Sequence, residues 1–144
     1  MEADSRTEPV PTKSIASREF VSWPLIRENS LEKRRYQVEL AQIAIEQNTL
    51  AVLPTGLGKT AIALLSIAHY LSKNKDNQCL ILAPTRVLVH QHYSFLRDHL
   101  ELTEDQIGVL TGEDTIGDRK AIWEKKRVVC ATPQVMVADR KSVV

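Results

Sequence analysis

The sequence has no apolar run approaching the roughly 18 residues that a membrane-spanning helix needs, and its polar start, MEADSRTEPVPTKSIASRE, lacks the apolar core of a secretory signal. It also lacks an excess of either charge. Nineteen Lys and Arg stand against 18 Asp and Glu, so no global field steers the chain toward nucleic acid or an anionic membrane, and any such contact has to be local. Cysteine is scarce: Cys79 and Cys130 each lie in a short apolar run, QCLILA and VVCAT, where a thiol behaves as a small hydrophobe. The expectation is a soluble, reduced, cytoplasmic protein. Internal repeats, low-complexity tracts and a composition shift that would mark a domain boundary are all missing. At 144 residues the chain fits one domain, with a mobile tail expected over residues 1–19 and a single folded unit over 20–144.

What is present is a repeated order of short apolar run, turn and amphipathic stretch. Ser30 looks like a helix cap ahead of LEKRRYQVELAQIAIEQ, where Leu40, Ile43, Ala44 and Gln47 recur at helical spacing. LAVL, residues 50–53, reads as a buried strand. Lys59 then opens a helix whose Ala61, Leu64, Leu65, Ala68 and Leu71 form one apolar stripe. The unit repeats as CLILA with a helix over residues 87–100, as IGVLT before a helix around DRKAIWEKK, and as RVVCA before TPQVMVAD. Strands alternating with helices predict an α/β fold, a parallel sheet with helices on both faces. Each strand runs into a turn bearing a threonine, Thr55, Thr85, Thr111 or Thr132. In a parallel sheet these turns share one carboxyl edge, where such sheets bind ligands.

The stretch LPTGLGKT, residues 53–60, carries the most specific chemistry. Gly56 and Gly58 let the backbone curl so that N–H groups face inward, and the helix that starts at Lys59 adds its positive end, which suits phosphate. Lys59 is placed to reach the outer phosphates of a nucleoside triphosphate, and the Thr60 hydroxyl to ligate Mg2+. Leu53 stands where the strict phosphate-loop pattern has its first glycine.

That departure, in Pro54-Thr55-Gly56-Leu57-Gly58-Lys59-Thr60, resembles motif I of the superfamily 2 (DExD/H-type) helicases. Arg34, Tyr36 and Gln37 in RRYQ resemble the family's adenine-reading Q motif, whose glutamine amide both donates and accepts. Pro84-Thr85-Arg86 with Leu88 and Gln91 resembles motif Ia, Thr111-Gly112 motif Ib, and Thr132-Pro133-Gln134 the element that follows. The similarity spans about residues 20–144 and leans toward the branch of archaeal fork-DNA helicase-nucleases and Fanconi anaemia group M translocases. RNA-sensing and Dicer-type helicases share the Arg-x-Tyr-Gln element. The resemblance implies a RecA-like lobe that binds ATP and Mg2+, with Arg34, Tyr36, Gln37 and residues 54–60 at the nucleotide. It implies nucleic acid, DNA before RNA and without sequence preference, at Pro84, Thr85, Arg86, Gln91, Thr111, Gly112, Thr132, Pro133 and Gln134. Thr132 with Pro133 after it is a helix-capping pattern that leaves N–H groups free for a phosphate.

The family also needs a strand-end Asp-Glu pair to hold magnesium and activate water. No Asp-Glu-x-His or Asp-Glu-x-Asp string occurs. Glu113 and Asp114 fall in the motif Ib slot and are expected to start a helix, and Asp139 follows Thr132 too closely for another crossover and strand. The expectation is a lobe that stops before its acidic-motif strand and does not hydrolyse ATP by itself. Two alternatives stand beside it, a duplex-RNA-dependent ATPase of the same superfamily and a non-enzymatic nucleotide-binding remnant. His90 and His92 lie about 200° apart on a helix and do not suit a shared metal. Trp23 and Trp123 read as packing residues, and Arg119, Lys120, Lys125, Lys126 and Arg127 as a solvated charged surface.

Overall fold

Val128, Val129, Cys130 and Ala131 are all buried, and they divide between two cores: Val128 and Cys130 join one, Val129 and Ala131 the other. Successive side chains of a strand point to opposite faces, so this division marks a strand covered on both sides. The computed structural model describes residues 17–139. Its elements run α1 (Arg35–Glu46), α2 (Lys59–Lys73), β1 (Cys79–Leu82), α3 (Arg86–His99), a 3-10 turn (Glu104–Gln106), β2 (Ile107–Leu110), α4 (Ile116–Lys125), β3 (Val128–Ala131) and α5 (Pro133–Ala138). The sheet is parallel, in the order β1-β3-β2. Leu82 and Leu110 both register with Ala131, so the three strands end level.

The larger core gathers α2, the inner side of α3 and one face of the sheet around Leu64, Leu65, Leu71, Val89 and Leu96. The stripe expected on α2 is the buried one. The smaller core, on the opposite face, packs Trp123 of α4 and Val135 of α5 against Leu110, Val129 and Ala131. β1 lies at the sheet edge, where Leu80 and Leu82 remain exposed on the α4 side because neither α4 nor α5 covers them.

Residues 50–53 form no strand, contrary to expectation, and Leu50 is 89% and Val52 81% exposed. Strand structure requires a hydrogen-bonded neighbour, and among the described residues none runs beside this segment. The first helix also differs. Ser30 bonds its hydroxyl to the Arg27 carbonyl at 2.8 Å, while α1 begins at Arg35 without a side-chain cap. The preceding backbone is engaged elsewhere, through bridges between Phe20 and Glu32 and between Ile26 and Leu100 that seat Val21, Ile26 and Leu31 in the core. α1 packs on α2 through Gln37 and Ala41, and Ile43 is left exposed. The expected mobile tail falls mostly on residues 1–16, outside those described; the carbonyl of Glu19 accepts from the Lys33 N–H at 2.7 Å.

Candidate functional site

The loop before α2 is shaped by two glycines in the left-handed region. Gly56 has φ +88° and Gly58 φ +73°, and Gly58 is the residue from which α2 starts. An L side chain at either position would be strained. Two side chains then hold the loop from the side of α1, through three hydrogen bonds. The Tyr36 hydroxyl donates to the Leu57 carbonyl at 2.6 Å, and Nε2 of Gln37 donates to Leu57 at 3.1 Å and to Gly58 at 3.3 Å. Gln37 is only 5% exposed, and its Oε1 makes no hydrogen bond among the described residues.

A cleft of about 410 Å³ opens beside this loop, with Arg34, Gln37, Gly56, Gly58 and Thr60 in its wall. A neighbouring cavity of about 250 Å³ shares Thr60 and adds Lys59. Arg34, Gln37, Gly56, Gly58, Lys59 and Thr60 therefore converge, whereas Pro54, Thr55, Tyr36 and Leu57 lie outside both linings, the last two joined by the hydroxyl-to-carbonyl bond. α3 supplies what the sequence reading missed: His92 borders both cavities and Phe95 the first. Gln91, expected at the nucleic-acid edge, also lines the nucleotide cleft. It lies about one and a half turns into α3. His90 faces a different groove, on the outer side of α3, so the two histidines do point apart.

Among the described residues no group of three His, Cys, Asp or Glu could hold a metal. Magnesium keeps water and phosphate ligands and needs only one or two protein oxygens, so the Thr60 hydroxyl on the cleft wall fits as one of them. Asp139 does not. It ends α5 on the other face, 3.2 Å from Nε of Arg119 and accepting from Trp123 Nε1 at 3.2 Å.

The level strand ends bring the remaining turns together. Pro84, Arg86, Thr111, Gly112, Thr132 and Gln134 border a single cleft of about 380 Å³. Thr85 is outside the lining, because its hydroxyl caps α3 by accepting from Leu88 N–H at 3.3 Å. Thr132 precedes Pro133 at the start of α5 but makes no side-chain cap bond. Glu113 and Asp114 do not begin a helix: α4 starts at Ile116 after Thr115, whose hydroxyl takes the capping bond, and Glu113 pairs with Arg86. Most of the expected charged surface is engaged internally as well. Arg127 donates to the carbonyls of Leu71 and Asn74 at 2.8 and 2.9 Å, and Lys126 bonds the Asp105 carbonyl.

A glycine-turned phosphate loop and a threonine-lined strand edge sit in one α/β unit, and residues 34–142 match the family model described as DEAD/DEAH box helicase. The chain belongs to the DEAD/DEAH box helicase family. It is 36% identical over 137 residues to the ATP-dependent DNA helicase mph1 of Aspergillus niger, covering 95% of this chain and 12% of that protein. A Methanocaldococcus jannaschii protein provisionally named an ATP-dependent RNA helicase is 48% identical over 120 residues, covering 83% of this chain and 15% of that one. The helicase domain of Hef from Pyrococcus furiosus superposes with a TM-score of 0.73 at 39% identity, over 76% of this chain and 23% of that one. The chain thus spans about an eighth to a seventh of the length of these two curated relatives. The sheet with helices on both faces is that of a RecA-like helicase lobe.

This helicase-family chain keeps both cysteines as free thiols in its core. Burial pushes Cys79 up to about 11, against a smaller opposing pull from Arg127, and burial alone pushes Cys130 up to about 12. No helix of the described residues is long and apolar enough to cross a membrane.

Proposed function

We propose that residues 20–144 belong to the ATP-binding lobe of an ATP-dependent helicase or translocase that acts on branched or forked DNA. The observation that carries this reading is α3 itself. It begins at the strand-edge cleft with Arg86 and borders the nucleotide cleft with Gln91, His92 and Phe95, so one rigid helix touches both sites. A shift of the nucleotide against α3 is then transmitted to the strand edge without passing through a loop.

In this reading Lys59 meets the outer phosphates as a point charge, and the glycine backbone of the loop leaves room for them to approach. Oε1 of Gln37 accepts from the adenine amino group while its Nε2 keeps hold of the loop, and Arg34 closes that end of the cleft. Thr60 supplies a hydroxyl to magnesium, which when bound offsets the phosphate charge. Arg86, Thr111, Thr132 and Gln134 contact nucleic-acid backbone and read no base, with Pro84, Gly112 and Pro133 shaping the turns that present them.

The DNA helicase name of the Aspergillus relative and the likeness to the Hef helicase domain support DNA. The RNA helicase name of the Methanocaldococcus relative favours a second reading, an RNA-dependent ATPase. Phosphate release from the full-length protein, measured with forked DNA, linear duplex DNA and duplex RNA, separates the two. Forked DNA is expected to stimulate most; stimulation by duplex RNA alone would replace the first reading with the second, and failure to bind ATP at all would overturn both.

A further inference from the structure

The strand-edge cleft has two guanidinium groups in its wall, Arg86 and Arg119, and no carboxylate among the described residues. Their counter-charges sit outside the lining, Glu113 beside Arg86 and Asp139 beside Arg119. The two pairs differ in how they are held. Arg86 and Glu113 are both mostly exposed, whereas the side chain of Arg119 is 20% and that of Asp139 10% exposed. Asp139 is also fixed from two directions, since its Oδ2 accepts from Trp123 Nε1 of α4 and its N–H donates to the Val135 carbonyl of α5 at 2.9 Å.

Arg119 is not satisfied by this arrangement. Its Nε lies 3.2 Å from Oδ2 of Asp139, yet it is buried without an aligned hydrogen bond, and no other nitrogen of Arg119 makes one among the described residues. A guanidinium has five donors in a planar fork, and leaving the buried Nε–H without an aligned acceptor is costly. Asp139 offsets the charge and fixes the side chain without occupying the fork. Only Nε is fully buried, so the terminal nitrogens stay open to the cleft, and an anion with more than one oxygen suits that fork. Thr111 and Thr132 add buried hydroxyls to the same wall, and that of Thr132 is not used in capping.

We propose that Arg119, held by Asp139, which Trp123 fixes in turn, is a second phosphate-gripping residue of the strand-edge cleft, which together with Arg86 takes one phosphodiester group of the nucleic-acid backbone. This rests on the nucleic-acid reading of that cleft. Arg86 is exposed and adapts to the incoming strand, and Arg119 is the fixed point against which the phosphate seats. An ordinary structural ion pair between α4 and α5 is the competing account, and it makes a different set of predictions.

The test uses the full-length protein, fluorescence anisotropy with labelled forked DNA of two unrelated sequences at several salt concentrations, and thermal melts of every variant. Arg119→Gln and Arg86→Gln are each expected to weaken binding of both sequences about tenfold and to flatten the salt slope by about 0.7 to 0.9, as loss of one phosphate contact does. Arg119→Lys is expected to keep the slope. Asp139→Asn breaks the same ion pair while retaining an acceptor for Trp123; it loosens the anchor but leaves the guanidinium in place, so it is expected to lower the melting temperature, to weaken DNA binding less than Arg119→Gln does, and to keep the salt slope. If Asp139→Asn weakens binding as much as Arg119→Gln does, the pair is merely structural and the inference is overturned. If Arg86→Gln weakens binding and Arg119→Gln does not, the inference fails while the cleft keeps its nucleic-acid role. If neither arginine matters, that role itself is lost.

Discussion

Nε2 of Gln37 packs so closely on the loop before α2 that a Cβ built on Gly58 would lie 2.3 Å from it. The same nitrogen donates to the carbonyls on either side, of Leu57 and Gly58. The glutamine that faces the nucleotide cleft and the glycine that starts the phosphate-loop helix are thus one mechanical unit. Gly58→Ala is expected to destabilise the protein by about 1 to 2 kcal/mol from its left-handed φ alone, and to weaken nucleotide binding further by displacing Gln37. Because the collision requires both side chains, the double variant with Gln37→Ala should lose less than the sum of the single losses. Thermal melts and nucleotide titrations on the four members of that cycle measure the difference, and strict additivity would contradict the coupling.

In the proposed reading Lys59 and Gln37 hold the nucleotide from opposite ends, and their removal should differ in kind. Lys59→Ala is expected to weaken ATP and GTP alike, by about 10- to 100-fold, the usual range for a charged hydrogen bond. Gln37→Ala is expected to act mainly on ATP and so to blunt the preference for it. Titration of fluorescent ATP and GTP analogues against the three proteins decides this; equal affinities throughout would remove both residues from the site.

Glu113 pairs with Arg86, and in the proposed reading it competes with nucleic acid for that side chain. Both side chains are mostly exposed, so their pairing contributes little, within about 1 kcal/mol. Glu113→Gln should therefore tighten DNA binding about two- to fivefold at low salt, and Arg86→Ala should weaken it for every sequence tested. A sequence-selective loss in the Arg86 variant would show base reading that the cleft, as built, does not explain.

Cys79 and Cys130 give the protein an alkaline limit. Folding raises both thiols, to about 11 and about 12, while in the unfolded chain they ionise near the ordinary value of 9.0. Below that value both states hold the proton and these groups add no pH dependence. Above it the unfolded state loses protons first, so stability falls as pH rises toward the folded values. Urea midpoints should decline from about pH 9 upward, and Cys79→Ala with Cys130→Ala should remove much of that decline even though the second leaves a small void. At pH 8 a thiol reagent is expected to label neither cysteine until urea is added.

The local features of this fold were readable in the residue order. The buried side of α2 is the apolar stripe at helical spacing, and β1, β2 and β3 fall on the three short apolar runs that precede a helix. Periodicity and adjacency are local properties, and packing chooses among faces that the chain has already segregated. The glycine-turned loop before α2 was equally legible, because its glycines and the first residues of the helix are neighbours in sequence.

Pairing is not local, and there the tertiary structure decided. LAVL is as apolar as CLILA, yet it forms no strand, since strand character belongs to a pair and nothing described lies alongside it. The order β1-β3-β2 places the last strand between the first two, which no stretch of sequence announces. Gln91 lines the cleft beside the glycine loop because of where α3 packs, and Arg119 came to share the strand edge with Arg86 only because α4 and α5 pack on one face and bring Asp139, bonded by Trp123, beside it. A charge cluster read along the chain looks solvated; which of its members is desolvated, and what faces it, depends on elements that meet only when the sheet has formed.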